Sequence, residues 1–163
     1  MTTSLSRRRF FQLAGLAALA FPLRGWAALD TSGGDEVVIL NDIHLTGVPE
    51  DKISANARDD DDHLRAAVQQ ILALPKKPAA VIINGDLALS IGTAADYAVV
   101  RELIAPLREA GIPVHLTLGN HDVRDVFMQA FPEMKSASDL KEPRHNGLID
   151  LPSTRLILLD TLD

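Results

Sequence analysis

The feature that most limits how this chain can fold is the change of hydrophobic period along residues 37–118. Val37-Val38-Ile39-Leu40 and Ala79-Ala80-Val81-Ile82-Ile83 are unbroken apolar runs. Runs this short, rich in β-branched residues and without a polar face, predict strands buried on both sides. Residues 113–118 predict a third strand, with Val114, Leu116 and Leu118 on one face. Between these runs the period becomes helical. Leu64, Val68, Ile71 and Leu72 make one stripe of a helix over residues 63–74. Tyr97, Val100, Leu103, Ile104 and Leu107 make the stripe of a second, starting near Ala94 and ending at Gly111. Strand, helix, strand, helix, strand predicts an α/β fold, with a parallel sheet built by right-handed crossovers.

Local punctuation refines this outline. Asp59 to Asp62 is an acidic run just before the first helix. Capping of the first N–H groups and attraction to the positive helix end explain it. A calcium loop of the EF-hand type would need a glycine and a glutamate that are missing. His63 falls in the exposed first turn. Pro106 lies inside the second helical stripe, so a kink or break is expected between Glu102 and Pro106. A short helix is expected over 123–131, and residues 132–144 are polar and irregular. Residues 148–151 and 155–159 read as two strands joined by a tight turn through Pro152-Ser153. His115, in the third strand, reads as a core histidine, and His145 as a surface histidine in a loop.

The first 27 residues are set apart by composition. Ser6-Arg7-Arg8-Arg9-Phe10-Phe11 precedes an apolar segment, residues 13–21, too short to span a bilayer. Small residues at Gly25 and Ala27 suit cleavage before Ala28. The order Ser, Arg-Arg, Phe resembles a twin-arginine export signal. An ordinary secretory leader and an uncleaved anchor are the alternatives. The expected organisation is a leader over 1–27, a linker over 28–35 and a domain over 36–163, in a protein exported to the periplasm or the exterior. Twin-arginine export carries folded proteins, which suits one that takes up metal in the cytoplasm.

The net charge is −6. The excess of acid is greater once the leader, which holds Arg7, Arg8, Arg9 and Arg24 and no acid, is set aside. No nucleic-acid face is evident in so acidic a body. The absence of cysteine excludes disulfides and thiolate metal sites.

Each of the three strand runs ends in polar residues able to do chemistry. The first ends in Asn41-Asp42-Ile43-His44, the second in Asn84-Gly85-Asp86, the third in Gly119-Asn120-His121-Asp122. Ligands of open α/β sheets gather beyond such carboxyl ends. Carboxylate, imidazole and amide oxygen form a mixed set that suits Mn, Fe or Zn. Asp42 and His44, two apart on an extended segment, would point the same way and grip one ion. Asp86 could bridge two ions, and Asn120 could serve the second. His121 could donate a proton to a leaving oxygen, with Asp122 holding its tautomer.

In this order and at these strand ends, Asp42-Ile43-His44, Gly85-Asp86 and Gly119-Asn120-His121-Asp122 resemble the three N-terminal signatures of the calcineurin-like metallophosphoesterase superfamily. The helix carrying Tyr97, Arg101, Glu102, Leu103 and Pro106-Leu107 is similar to the cyclic-nucleotide phosphodiesterase branch. The resemblance covers residues 36–163. It implies the βαβαβ half of a two-sheet sandwich flanked by helices. It also implies two divalent or trivalent metal ions and hydrolysis of phosphodiesters or phosphomonoesters by metal-bound hydroxide. On that pattern Asp42 and His44 bind the first ion, Asp86 bridges, Asn120 binds the second, and His121 is the proton donor.

The superfamily's later ligands, a further histidine and a Gly-His-x-His segment, have no counterpart after Asp122, where His145 stands alone. The chain is therefore expected to be the N-terminal part of an exported phosphoesterase, with little turnover by itself. The alternatives are a non-catalytic metal- or phosphate-binding fragment, or a half-domain completed by a C-terminal chain. Much of the second sheet would be missing, leaving apolar surface bare. The expected partners are a small phosphate ester and the twin-arginine export machinery.

Overall fold

The computed structural model describes residues 36–48, 59–134 and 144–162. The chain divides into two units, 1–34 and 35–163, and the described residues all lie in the second. The expected leader and linker fall outside the described residues, as do most of the stretches 45–57 and 132–144.

Strand β2 (Ala80–Asn84) is the centre of a three-stranded parallel sheet, between β1 (Val37–Asn41) and β3 (Val114–Leu116). Its first four residues are all buried, as an apolar run with no polar face demands. The two faces of the sheet serve different layers. Val81 and Ile83, with Val38 and Leu40, join the core under the helices. Ala80 and Ile82, with Val37, meet Ile149, Leu151, Leu156 and Leu158 on the other side. The protein is thus a mixed α/β fold, a parallel sheet with helices on one face and an antiparallel hairpin on the other. Strands β4 (Gly147–Asp150) and β5 (Arg155–Leu158) make that hairpin.

Helix α1 (Asp59–Leu72) buries Leu64, Val68 and Ile71. It begins earlier than the apolar stripe implies, because the acidic run is its first turn rather than its lead-in. Carboxylates are favoured beside the unsatisfied N–H groups there. Burial raises the Asp61 carboxyl above its ordinary value, against the pull of Arg65. His63 is exposed. Helix α2 (Ala94–Glu109) starts at a full capping box: Thr93 accepts from Asp96 N–H, and Asp96 accepts from Thr93 N–H. Of the kink or break expected between Glu102 and Pro106, a break does not occur: α2 runs to Glu109 with Pro106 inside it. Pro106 stands in the last turn, so few residues beyond it need to stay helical.

Helix α3 (Arg124–Ala130) packs Phe127 against Tyr97 and Phe131. His145, expected at the surface, is buried. Its ring lies 4.7 Å from that of Phe127, and Nε2–H donates to the Leu116 carbonyl at 2.9 Å. Burial holds its pKa below the usual imidazole range, as it does for the half-buried His115. The loop reading failed because Phe127 of α3 and the Leu116 carbonyl of β3 both meet this residue. The outer face of the hairpin is bare: Leu148, Ile157 and Leu159 are 46%, 62% and 64% exposed.

Asp160 ties the end of the hairpin to the start of α3. Arg124 Nε–H and Nη2–H donate to its two oxygens at 2.7 and 3.0 Å. The N–H groups of His145 and Leu162 add bonds of 2.8 and 3.0 Å. Burial alone would raise this carboxyl, but the Arg124 and backbone donors outweigh it and hold it at about 2. A carboxyl depressed by folding stabilises above its unfolded value of about 3.9, and that stability is lost as pH falls through the folded value. Urea denaturation across pH is expected to show an acid loss between about pH 4 and 2. Asp160→Asn is expected to flatten that limb and cost on the order of 2–3 kcal/mol at neutral pH, by removing the carboxylate charge that faces Arg124.

Candidate metal centre

The register of the sheet brings the three polar strand ends level. Asn41 pairs with Asn84 across β1 and β2. Thr117 Oγ1–H donates to Asn84 Oδ1, and Asn84 Nδ2–H donates to Asn41 Oδ1, each at 3.1 Å. This polar row forms the base from which the three turns rise. Sequence reasoning passed over Asn84 and Thr117, although a polar residue at the same height in each strand was the available signal.

The first turn departs from the extended path expected for Asp42 and His44. Asp42 has φ 51° and His44 φ 44°, and Asp86 on the second turn has φ 41°. These are left-handed conformations in residues other than glycine, each costing on the order of 1 kcal/mol, and such strain clusters at functional sites. Asp42 is not among the residues that gather around His44. Asp42 is exposed and lines a cleft with Asp60 and His63. His44 turns toward Asp86, and its backbone N–H donates to the Asp86 carbonyl at 3.0 Å.

His44, Asp86 and His121 converge, with one ligating atom from each lying within 4.8 Å of the others. The rings of His44 and His121 are stacked, 5.2 Å between centroids. Asp86 Oδ1 accepts from His121 N–H at 3.0 Å, while Oδ2 lies 3.5 Å from His44 Nε2. That nitrogen is shielded from solvent and has no hydrogen-bond partner. A lone pair facing a carboxylate is unfavourable unless a cation, a proton or a metal ion, joins them. The donor set therefore fits a metal of the Mn, Fe or Zn kind. Asn120 is exposed at the tip of the third turn, where it leaves the backbone beside His121.

The expected contact between Asp122 and His121 is not made. Asp122 is buried, and its oxygens accept from the N–H groups of Gly119 (2.9 Å), Leu87 (3.1 Å) and Ala88 (3.2 Å) and from Tyr97 Oη–H (3.2 Å). Burial pushes its carboxyl up, against the pull of those donors. His121 Nδ1 instead lies 2.8 Å from the Leu89 carbonyl. A carbonyl only accepts, so Nδ1 carries the proton and Nε2 is left for the site. Adjacent residues on a tight turn point to different sides, and so the carboxylate went to the backbone of the second turn.

Gly119 allows the second and third turns to touch. A Cβ there would stand 2.2 Å from Asp86 Oδ1 and 2.5 Å from Asp86 N. Gly119→Ala must displace Asp86, and Mn²⁺ affinity by calorimetry is expected to fall at least about tenfold, equivalent to ~1.4 kcal/mol. Unchanged affinity would show that Asp86 does not hold metal.

No curated protein matches the chain. The family model for calcineurin-like phosphoesterases matches residues 36–158, from the residue before β1 to the end of β5. That span takes in all three turns and the cluster between them, and covers most of the chain; the protein belongs to the calcineurin-like phosphoesterase family.

Proposed function

We propose that this chain carries the N-terminal ligands of an exported metal-dependent phosphodiesterase. The observation that carries the reading is the unpartnered Nε2 of His44, facing the Asp86 carboxylate within reach of His121. His44 and Asp86 would hold one ion, with Asp42 joining them by turning in from the cleft it lines, and Asp86 with Asn120 would hold a second, the metals being Mn, Fe or Zn. Bound ions would stabilise negative charge on the phosphoryl oxygens and acidify a water molecule. His121, its Nδ1–H held by the Leu89 carbonyl, presents Nε2 to pass a proton to the leaving oxygen. Asp122 acts on this chemistry by shaping the turn.

The substrate we favour is a small phosphodiester, cyclic nucleotides included, because the α2 residues Tyr97, Arg101, Glu102, Leu103 and Pro106-Leu107 follow the cyclic-nucleotide branch. Phosphomonoesters are the alternative. Ser6-Arg7-Arg8-Arg9-Phe10 supports export by the twin-arginine machinery to the periplasm or exterior. No helix among the described residues is long and apolar enough to cross a membrane.

A second reading is a half-domain whose site is completed by another polypeptide, which the bare face of Leu148, Ile157 and Leu159 favours. Under it the chain binds Mn²⁺ but does not turn over alone. Hydrolysis by the isolated chain would exclude it.

The deciding assay is Mn²⁺-dependent hydrolysis of bis(4-nitrophenyl) phosphate, with Mn²⁺ binding followed by calorimetry. Asp86→Ala is expected to lose metal and at least about a hundredfold of any activity. His121→Asn is expected to lose turnover and keep the metal. Loss of Mn²⁺ affinity in that variant would make His121 a ligand and not the proton donor. Hydrolysis indifferent to chelator, or a chain that binds no divalent metal, would sink the proposal.

A further inference from the structure

Tyr97 is a residue of the α2 core stripe whose ring faces Phe127 and Phe131 edge-on, and it has no exposed surface. Its hydroxyl nevertheless makes two bonds, both to the third turn. It donates to Asp122 Oδ1 at 3.2 Å and accepts from Val123 N–H at 2.9 Å. Burial and the neighbouring Asp122 charge push its pKa far above the usual phenol range, so the hydroxyl keeps its proton. The same oxygen presses on Gly92, where a Cβ would stand 2.2 Å away. Gly92 N–H donates to the His121 carbonyl at 2.8 Å.

His121 is therefore enclosed. Its N–H goes to Asp86, its carbonyl to Gly92, and its Nδ1–H to Leu89. The backbone leading to the Leu89 carbonyl is held as well. Leu89 N–H donates to the Leu45 carbonyl at 2.8 Å, and the preceding Leu87 and Ala88 N–H groups are fixed by Asp122. The tyrosine hydroxyl touches both arms of this enclosure, the Gly92 arm and the Asp122 arm.

We propose that Tyr97 is a positioning residue for His121: through Asp122 and Gly92 its hydroxyl aligns the Leu89 carbonyl with the imidazole and so selects the Nδ1–H tautomer. The inference deepens the reading of His121 as the proton donor and rests on it for its catalytic meaning. The alignment itself exists with or without metal.

The test is a long-range ¹H–¹⁵N spectrum of the metal-free, ¹⁵N-histidine-labelled chain at about pH 8, above the ordinary value of a free imidazole. His121 is expected in the Nδ1–H form. In Tyr97→Phe, which keeps the ring and the core contacts, its preference for that form is expected to fall about tenfold, the size of one lost buried hydrogen bond. His145 should keep its Nε2–H form on the Leu116 carbonyl in both proteins and serves as the internal reference. An unchanged His121 signal in a folded Tyr97→Phe, or an Nε2–H form in the unsubstituted chain, overturns the proposal. Should Tyr97→Phe fail to fold, the hydroxyl proton of the chain's single tyrosine decides. Protection from exchange, with a cross-peak to the Val123 amide, supports the inference. Rapid exchange with water overturns it. A chain that binds no Mn²⁺ but shows the expected tautomer shift counts against the phosphoesterase reading alone.

Discussion

The parallel register of three short strands is the constraint on which everything else depends. Because Asn41 and Asn84 pair at one height and Thr117 joins them from the third strand, three turns begin from a common plane. Side chains on those turns meet without any one turn being long. A shift of one residue in either pairing would turn the sheet's two apolar faces over. It would also move one corner of the cluster by a strand repeat, about 3.3 Å, more than a metal–ligand distance can absorb.

Above that plane the turns hold one another, mostly through main-chain groups. Asp86 accepts the His121 amide, Asp122 accepts three amides from two turns, and Asp96 reaches from the cap of α2 to Gly47 N–H at 2.7 Å. Three carboxylates thus do what a longer strand ladder does elsewhere. Left-handed Asp42, His44 and Asp86 persist because this mesh leaves them no other arrangement. Deformability at the centre is low for the same reason: every side chain aimed at the cluster sits on backbone bonded to a neighbouring turn.

The fold was legible in the sequence where burial on both faces forces composition. The run at 79–83 could be little other than a central strand, and the stripes through Val68 and Ile104 little other than covering helices; the run at 37–40, expected to be buried on both faces, is instead an edge strand with Ile39 exposed, because an apolar run does not say how many neighbours a strand finds. The site was legible at the level of which residues stand at strand ends. What could not be read was direction. Asp42 and His44 were expected to point together because spacing assumes an extended chain, whereas Asp and His enter the left-handed region more readily than most residues without their spacing saying when they do. Asp122 was paired with its neighbour in sequence, whereas the partners it found are backbone N–H groups, which every residue has and no motif records. His145 was misplaced because its burial depends on Phe127 and Leu116, contacts made across more than one element. Tyr97 was read only as part of an apolar stripe, though a buried phenol always raises the question of what its hydroxyl bonds.

The clasp between Arg124 and Asp160 works from the opposite end of the chain to the rest of the mesh. It joins residues 36 apart, and His145 is anchored on the same carboxylate. The third turn, by contrast, is held by residues that precede it: Asp86, Leu89, Gly92 and Tyr97. The histidine corner of the cluster therefore belongs to the sheet and its crossovers, and the hairpin adds a brace at α3 that the corner does not need for its own shape.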